Sequence, residues 1–123
     1  MIITWFEKHN FVSWLITIFG AGLVFYISSL SFSGESQNFG NVLPLIYHFF
    51  AFFLLCFFLL ISFNKGKWDK RKFIFGVILV LLYAVSDEIH QIFVSNRDAS
   101  YLDFIIDSLG IFFSGLIYYK RLR

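Results

Sequence analysis

Charge is scarce in this chain. Asp, Glu, Lys and Arg make up 15% of its 123 residues, against about 25% in an ordinary soluble domain. A soluble domain this short has a large surface for its volume and needs polar residues to cover it. Too few are present here: 59% of the chain is hydrophobic, with a mean hydropathy of +0.75. Lipid is the solvent that this composition fits. Proline is nearly absent; with Pro44 alone, nothing breaks a long helix from within. Cys56 is the single cysteine, which excludes an intrachain disulfide and leaves the redox compartment unreadable. The alternating apolar and polar strands of a membrane barrel are also lacking. So are internal repeats, low-complexity tracts and any linker long enough to divide the chain. One domain over residues 1–123 is the expectation.

Long apolar runs are what the sequence has instead. They extend over Phe11 to Phe32, Leu43 to Phe63, Phe73 to Phe93 and Tyr101 to Tyr119. Each approaches the roughly 20 apolar residues that a helix needs to cross the hydrocarbon core. The expected fold class is therefore all-α: a four-transmembrane-helix bundle with spans at about 11–32, 43–63, 73–93 and 101–119. The first run is long for a signal peptide, and no Ala-x-Ala site follows it, so a retained first span is expected. Cys56 reads as a small apolar residue. The 19 Phe residues read as lipid-facing bulk.

The charges set an orientation. Lys- and Arg-rich short loops stay in the cytoplasm. Lys8, Lys65, Lys67, Lys70, Arg71, Lys72, Lys120, Arg121 and Arg123 fall on one side of the spans, and only Arg97 falls on the other. Both termini are expected in the cytoplasm of a multi-pass plasma-membrane protein. Glu7 and Asp69 share that side, whereas Glu35, Asp87, Glu88, Asp98, Asp103 and Asp107 lie outside or in outer halves of spans. The basic loop is a topology signal beside anionic lipid, with no nucleic-acid partner implied. Trp5 and Trp68 sit near membrane borders, where indoles prefer to lie. Ser33 to Asn41 is the longest outer connection, rich in Ser, Gly and Asn.

Ionisable residues inside a membrane span are costly and mark function. The third span ends in Ser86-Asp87-Glu88-Ile89-His90-Gln91. Asp87, His90, Gln91 and Val94 share a helical face by spacing, with Glu88 displaced to its edge. The fourth span starts at the same level. It carries a stripe of Asp103, Asp107, Gly110 and Ser114, whose small members allow close packing on the second or third span. His48 lies about one turn into the second span, on a stripe that continues through Phe52 and Cys56. Topology thus brings His48, Asp87, Glu88, His90, Gln91, Arg97, Asp103 and Asp107 to one membrane depth, with Ser28 and Ser29 near the outer end of the first span.

Plainer accounts compete residue by residue. Ser100-Tyr101-Leu102-Asp103 fits a capping box, and an acid there suits the helix dipole. Asp98 reads as solvated, and His48 alone as an interfacial histidine. Arg97 can snorkel to phosphates. Asp87, Glu88 and His90 together can serve as a polar network joining helices. Charge argues for more. Asp87, Glu88, Asp103 and Asp107 against Arg97 are too many bare carboxylates for a low-dielectric site. Protonation, charged histidines or a bound cation must balance them. His48, Glu88, His90 and Asp107 are the candidate metal ligands, although their spacing matches no established zinc motif.

The run Ser86-Asp87-Glu88-Ile89-His90-Gln91-Ile92-Phe93, followed by Arg97, Asp103, Asp107 and Gly110, resembles the signature of the VanZ-like family. His48, followed by Phe49, Phe50 and Phe53, is similar to that family's upstream histidine. The resemblance extends from Phe25 to Tyr119. Two departures stand out. The family often has Pro-Gly before the Arg, where this chain has Ser95-Asn96. A Lys or Asp often precedes the upstream His, where this chain has Pro44 and Leu45, which leaves His48 without a charge partner. The family's namesake is linked to resistance to teicoplanin, so the resemblance implies a cell-envelope role and does not extend antibiotic resistance to this chain.

Two functions follow as expectations. One is a binding or accessory protein whose cleft holds a lipid headgroup, a cationic ligand, a lipid-linked envelope precursor or a glycopeptide, with His48, Gln91, Arg97 and Asp103 as binding residues. The other is a membrane enzyme acting on such a headgroup. In it His90 is general acid/base, Asp87 or Asp107 orients it, Glu88 and His48 complete the site or hold a metal, and Arg97 grips a phosphate. A purely structural polar network is the third account. Class priors favour binding over chemistry by a small margin. Four short spans without an inverted repeat offer little for alternating access, and a homo-oligomer is left open.

Overall fold

Apolar runs of this length fold as helices because lipid offers no hydrogen-bond partner to an open backbone. The computed structural model describes residues 1–31, 42–97 and 99–123. Among them are five helices and no strand: α1 (Ile2–Lys8), α2 (Asn10–Ser28), α3 (Val42–Asn64), α4 (Lys70–Ile92) and α5 (Tyr101–Leu122). The four helices α2 to α5 are long and apolar enough to cross a membrane. The loop expected over Ser33 to Asn41, with Glu35, lies outside the described residues, as does Asp98.

The short α1 is an addition to the sequence reading. His9 separates it from α2 with φ −102° and ψ 51°. Its ring Nδ1 lies 2.9 Å from the Trp5 carbonyl oxygen and its plane stacks on the Trp5 indole, centroids 4.5 Å apart. Phe6 then meets Phe58 of α3 edge-on at 5.1 Å, so the segment is tied back to the bundle.

The bundle is built around α3, which packs against every other helix and most extensively against α5. Phe52, Leu55, Cys56, Leu59, Leu60 and Ile61 of α3 form the core, with Val24, Val80, Ala84, Ile111 and Tyr118 from its neighbours. The outer surface, unlike that of a soluble domain, is apolar. Ser13, Ser62, Asp107 and Ser114 are buried, while Phe11, Phe19, Leu82 and Phe112 face outward. Large apolar side chains on the outside and polar ones within are what a lipid solvent selects.

One close approach fixes the site. The stripe Asp103, Asp107, Gly110 and Ser114 of α5 faces α3. A Cβ on Gly110 would collide with the Phe49 carbonyl oxygen and stand 3.1 Å from the Phe53 amide nitrogen. Only glycine lets the two backbones meet there, and the contact sets Asp107 opposite His48.

The helix ends are chemically specified. Asp69 caps α4, accepting from the Arg71 and Lys72 amides at 3.0 and 3.2 Å. The Lys72 amide is the main reason that its carboxyl titrates below the usual aspartate value. At the same end of the bundle, the Lys65–Gly66 turn has φ of 52° and 75°, and Gly66 donates its amide to the Tyr118 hydroxyl at 3.3 Å. Glu7, buried beside this turn, pairs with Arg121 at 3.3 Å.

Candidate functional site

The polar residues gather at the opposite end, where α2 and α4 finish and α3 and α5 begin. They fall into groups that share α4 as a wall. A helix turns about 100° per residue, so the adjacent acids Asp87 and Glu88 of α4 point to different neighbours.

Asp87 points to α2. Ser28 donates its hydroxyl to Asp87 Oδ1, and Gln91 donates Nε2–H to Asp87 Oδ2 at 3.0 Å. Both carboxylate oxygens are thereby satisfied, and Ser28, Asp87 and Gln91 are all buried. This group is a clamp between α2 and α4.

Glu88 points to α5 and α3. Its Oε2 accepts the Ser100 amide at 2.9 Å, just before α5 starts. Ser100 is the N-cap of α5, with its hydroxyl accepting the Asp103 amide at 3.4 Å. In a capping box the side chain three residues into the helix bonds the cap's own amide. Here Glu88, from another helix, takes that amide.

Beyond Glu88 lies His48, 3% exposed. Its Nδ1–H donates to Asp107 Oδ1 at 2.9 Å, and Nε2 stands 3.8 Å from Asp103 Oδ2. Asp107 is fully buried, at 0% exposure. The expectation that His48 lacks a charge partner is thus corrected: α5 supplies Asp107 and Asp103 in place of a residue on α3 itself. His48, Glu88 and Asp107 each offer a ligand atom, and these atoms lie within 4.8 Å of one another.

Two acceptors in this group stay unsatisfied among the described residues: Glu88 Oε1 and Asp107 Oδ2 are both buried without a hydrogen-bond partner. A buried acceptor without a donor costs about 1–3 kcal/mol, more when charged. Asp87, one residue from Glu88, shows that this chain can satisfy a carboxylate completely.

His90 stands apart from this cluster. It stacks on Phe25 of α2 with centroids 4.7 Å apart, and its Nε2 is 2.9 Å from Ser29 Oγ. Ser29 donates its own proton to the Phe25 carbonyl, so the imidazole Nε2–H is the donor to Ser29. Arg97 donates from Nη2 to the Ile27 carbonyl at 3.4 Å, near the end of α2. His90 and Arg97 therefore line the α2 side, and His48, Glu88, Asp103 and Asp107 form the α3–α5 side. Ser28, Ser29 and the Ser100 amide were not among the site residues read from sequence. A pair of serines closing an otherwise apolar span was the available signal for the first two.

A cleft of about 350 Å³ opens between the end of α4 and the start of α5. Glu88 and Ser100 are on its wall, and Val85, Ile89, Ile92, Tyr101 and Phe104 make the rest apolar. Ile89, Ile92 and Tyr101 are exposed on the outer surface of the bundle, so this cleft faces where lipid would lie.

Residues 4–122 match the family model of VanZ/LLP1. The chain belongs to the VanZ/LLP1 family. No curated protein and no solved structure matches it at a significant level. Nearly the whole chain is covered, so this VanZ/LLP1 protein pairs four helices able to cross a membrane with a buried His/Asp/Glu cluster. One departure from the family pattern has a structural answer. Where relatives often have Pro-Gly before the Arg, Asn96 takes the left-handed conformation itself, with φ 59°. Asn is among the few non-glycine residues that tolerate it.

Proposed function

We propose that this VanZ/LLP1 protein binds the polar headgroup of an amphiphile, a lipid or a lipid-linked envelope precursor, at the outer face of the plasma membrane. Both termini lie in the cytoplasm in this reading, because nine of the ten Lys and Arg residues then face inward. The amphiphile enters sideways through the cleft beside Glu88. Its apolar part rests on Ile89, Ile92 and Tyr101, and its headgroup reaches the cluster.

The observation that carries this reading is the contrast between two neighbouring acids. Asp87 has both oxygens hydrogen-bonded, as a helix-joining residue should. Glu88 keeps a buried oxygen without a partner among the described residues and lines the apolar cleft. The excess of carboxylates favours a headgroup that brings positive charge, as an amine or with a cation. In this reading Arg97, on the α2 side, is the residue that meets a headgroup phosphate. Native mass spectrometry of gently extracted protein tests this: a retained amphiphile is expected, and a bare chain under those conditions speaks against it.

A second reading rests on the His48–Asp107 pair. A carboxylate that holds Nδ1–H fixes the tautomer and leaves Nε2 to accept a proton. His48 then replaces His90 as the general base, taking a proton from water or a headgroup hydroxyl. A retained amphiphile that changes mass on incubation with the parent protein, but not with His48→Gln, selects this enzymatic reading.

A further inference from the structure

We infer that His48, Glu88 and Asp107 form a divalent-cation site, with zinc or a similar borderline ion as its occupant. Each side chain comes from a different helix, α3, α4 and α5 respectively. Their ligand atoms lie within 4.8 Å of one another. Ligands around a tetrahedral zinc at about 2.0–2.2 Å stand roughly 3.4 Å apart, so small side-chain rotations close the set.

Three features beyond proximity point to a cation. First, Glu88 Oε1 and Asp107 Oδ2 are buried acceptors without a donor among the described residues, in residues 9% and 0% exposed. Second, the charge is lopsided: two carboxylates share the site with one imidazole, and Asp103 adds a further carboxylate 3.8 Å from His48 Nε2. A divalent ion balances the pair Glu88 and Asp107. Third, the donor set is one nitrogen with carboxylate oxygens, a mixture that suits zinc or its neighbours better than an all-oxygen ion. The Ser100 amide bonded to Glu88 Oε2 at 2.9 Å orients that ligand, as outer partners of metal ligands do.

Three protein ligands leave a coordination position for an outside oxygen. A headgroup phosphate or hydroxyl reaching the cleft would take it, and in that respect alone the inference rests on the function proposed above. Ion binding itself needs no amphiphile, so the two fail separately.

The test uses full-length protein in nanodiscs of synthetic phosphatidylcholine, purified through a tag without histidine and stripped with a chelator. Zinc alone is titrated against a chromophoric competitor. One zinc per chain is expected, with affinity rising with pH because the imidazole must bind deprotonated. Glu88→Gln and Asp107→Asn should each weaken binding at least 10-fold, and His9→Ala should leave it unchanged. Zinc K-edge absorption should show light N/O ligands with the outer-shell scattering of one imidazole. Should Asp107→Asn fail to fold, Glu88→Gln, which can keep the Ser100 bond, decides. Absence of stoichiometric zinc in the parent, or full binding in a folded Glu88→Gln, overturns the inference. A protein that takes up zinc yet retains no amphiphile leaves the metal site standing and removes the headgroup reading.

Discussion

At the scale of single residues, Asp87 and Glu88 are set apart by their partners. Adjacent on α4, they face different helices, and among the described residues Asp87 has both oxygens hydrogen-bonded while Glu88 Oε1 has no partner. The His48–Asp107 pair, at 2.9 Å, is a close polar link between α3 and α5. Hydrogen bonds between membrane helices contribute about 0.6 kcal/mol on average and up to about 1.7. A buried imidazole–carboxylate contact at 2.9 Å belongs at the upper end. A double-mutant cycle of His48→Ala and Asp107→Ala, read by reversible unfolding, should give a coupling of about 1–2 kcal/mol. Additivity of the two substitutions would mean that the pair does not bind the helices together.

Spacing along the chain makes the polar end legible without fixing which residues pair across it. Positions three, four and seven apart put Asp87, His90 and Gln91 on one face, and Asp87 does bond Gln91. The same rule set Glu88 at the margin. It could not say that α4 is flanked on both sides, so that the next residue around serves a second interface. Convergence of acid, base and guanidinium at one depth is what makes His90 the acid/base expected from sequence. In the fold it stacks on Phe25 and bonds Ser29, and only the packing of α5 on α3 brings His48 to two acids. Such long-range choices depend on which helices touch, and spacing along one helix does not contain that.

At the scale of elements, the α3–α5 contact is the one that everything else needs. Gly110 permits it, since a Cβ there would meet the Phe49 carbonyl. Gly110→Ala should destabilise the protein by about 2–3 kcal/mol, the upper range for overpacking, and should pull Asp107 away from His48. Gly22 has nothing within 4 Å of a Cβ, so Gly22→Ala should be neutral or slightly stabilising by helix propensity. Thermal unfolding of the pair checks this, and equal effects would mean that Gly110 is not a packing constraint. The stripe of small residues on α5 was visible in sequence, as was the Ser100 cap. The element that sequence missed was α1, whose seven residues give too short a pattern and which is held by Trp5, Phe6 and His9 contacts.

At the scale of the whole molecule, four apolar helices long enough to cross a membrane were readable from composition and run length. Their sidedness rests on charge alone. It can be measured because Cys56 is the single cysteine and is fully buried. Lys67→Cys and Ser95→Cys place one accessible thiol at each end. In intact cells a membrane-impermeant maleimide should label Ser95→Cys and spare Lys67→Cys until the membrane is opened. The reverse pattern would place the polar cluster on the cytoplasmic face and exclude an outer-leaflet ligand.

The central claim is that the buried cluster is a ligand site and not only a polar joint between helices. Glu88→Gln separates these most directly, because glutamine can still accept the Ser100 amide while the charge is lost. Native mass spectrometry of the parent and of Glu88→Gln, both extracted gently and compared at matched thermal stability, is the decisive measurement. A bound mass present on the parent and missing from the folded variant is the expected result. The same adducts on both proteins, or none on either, would contradict a ligand site at Glu88 and leave the cluster as part of the bundle's scaffold.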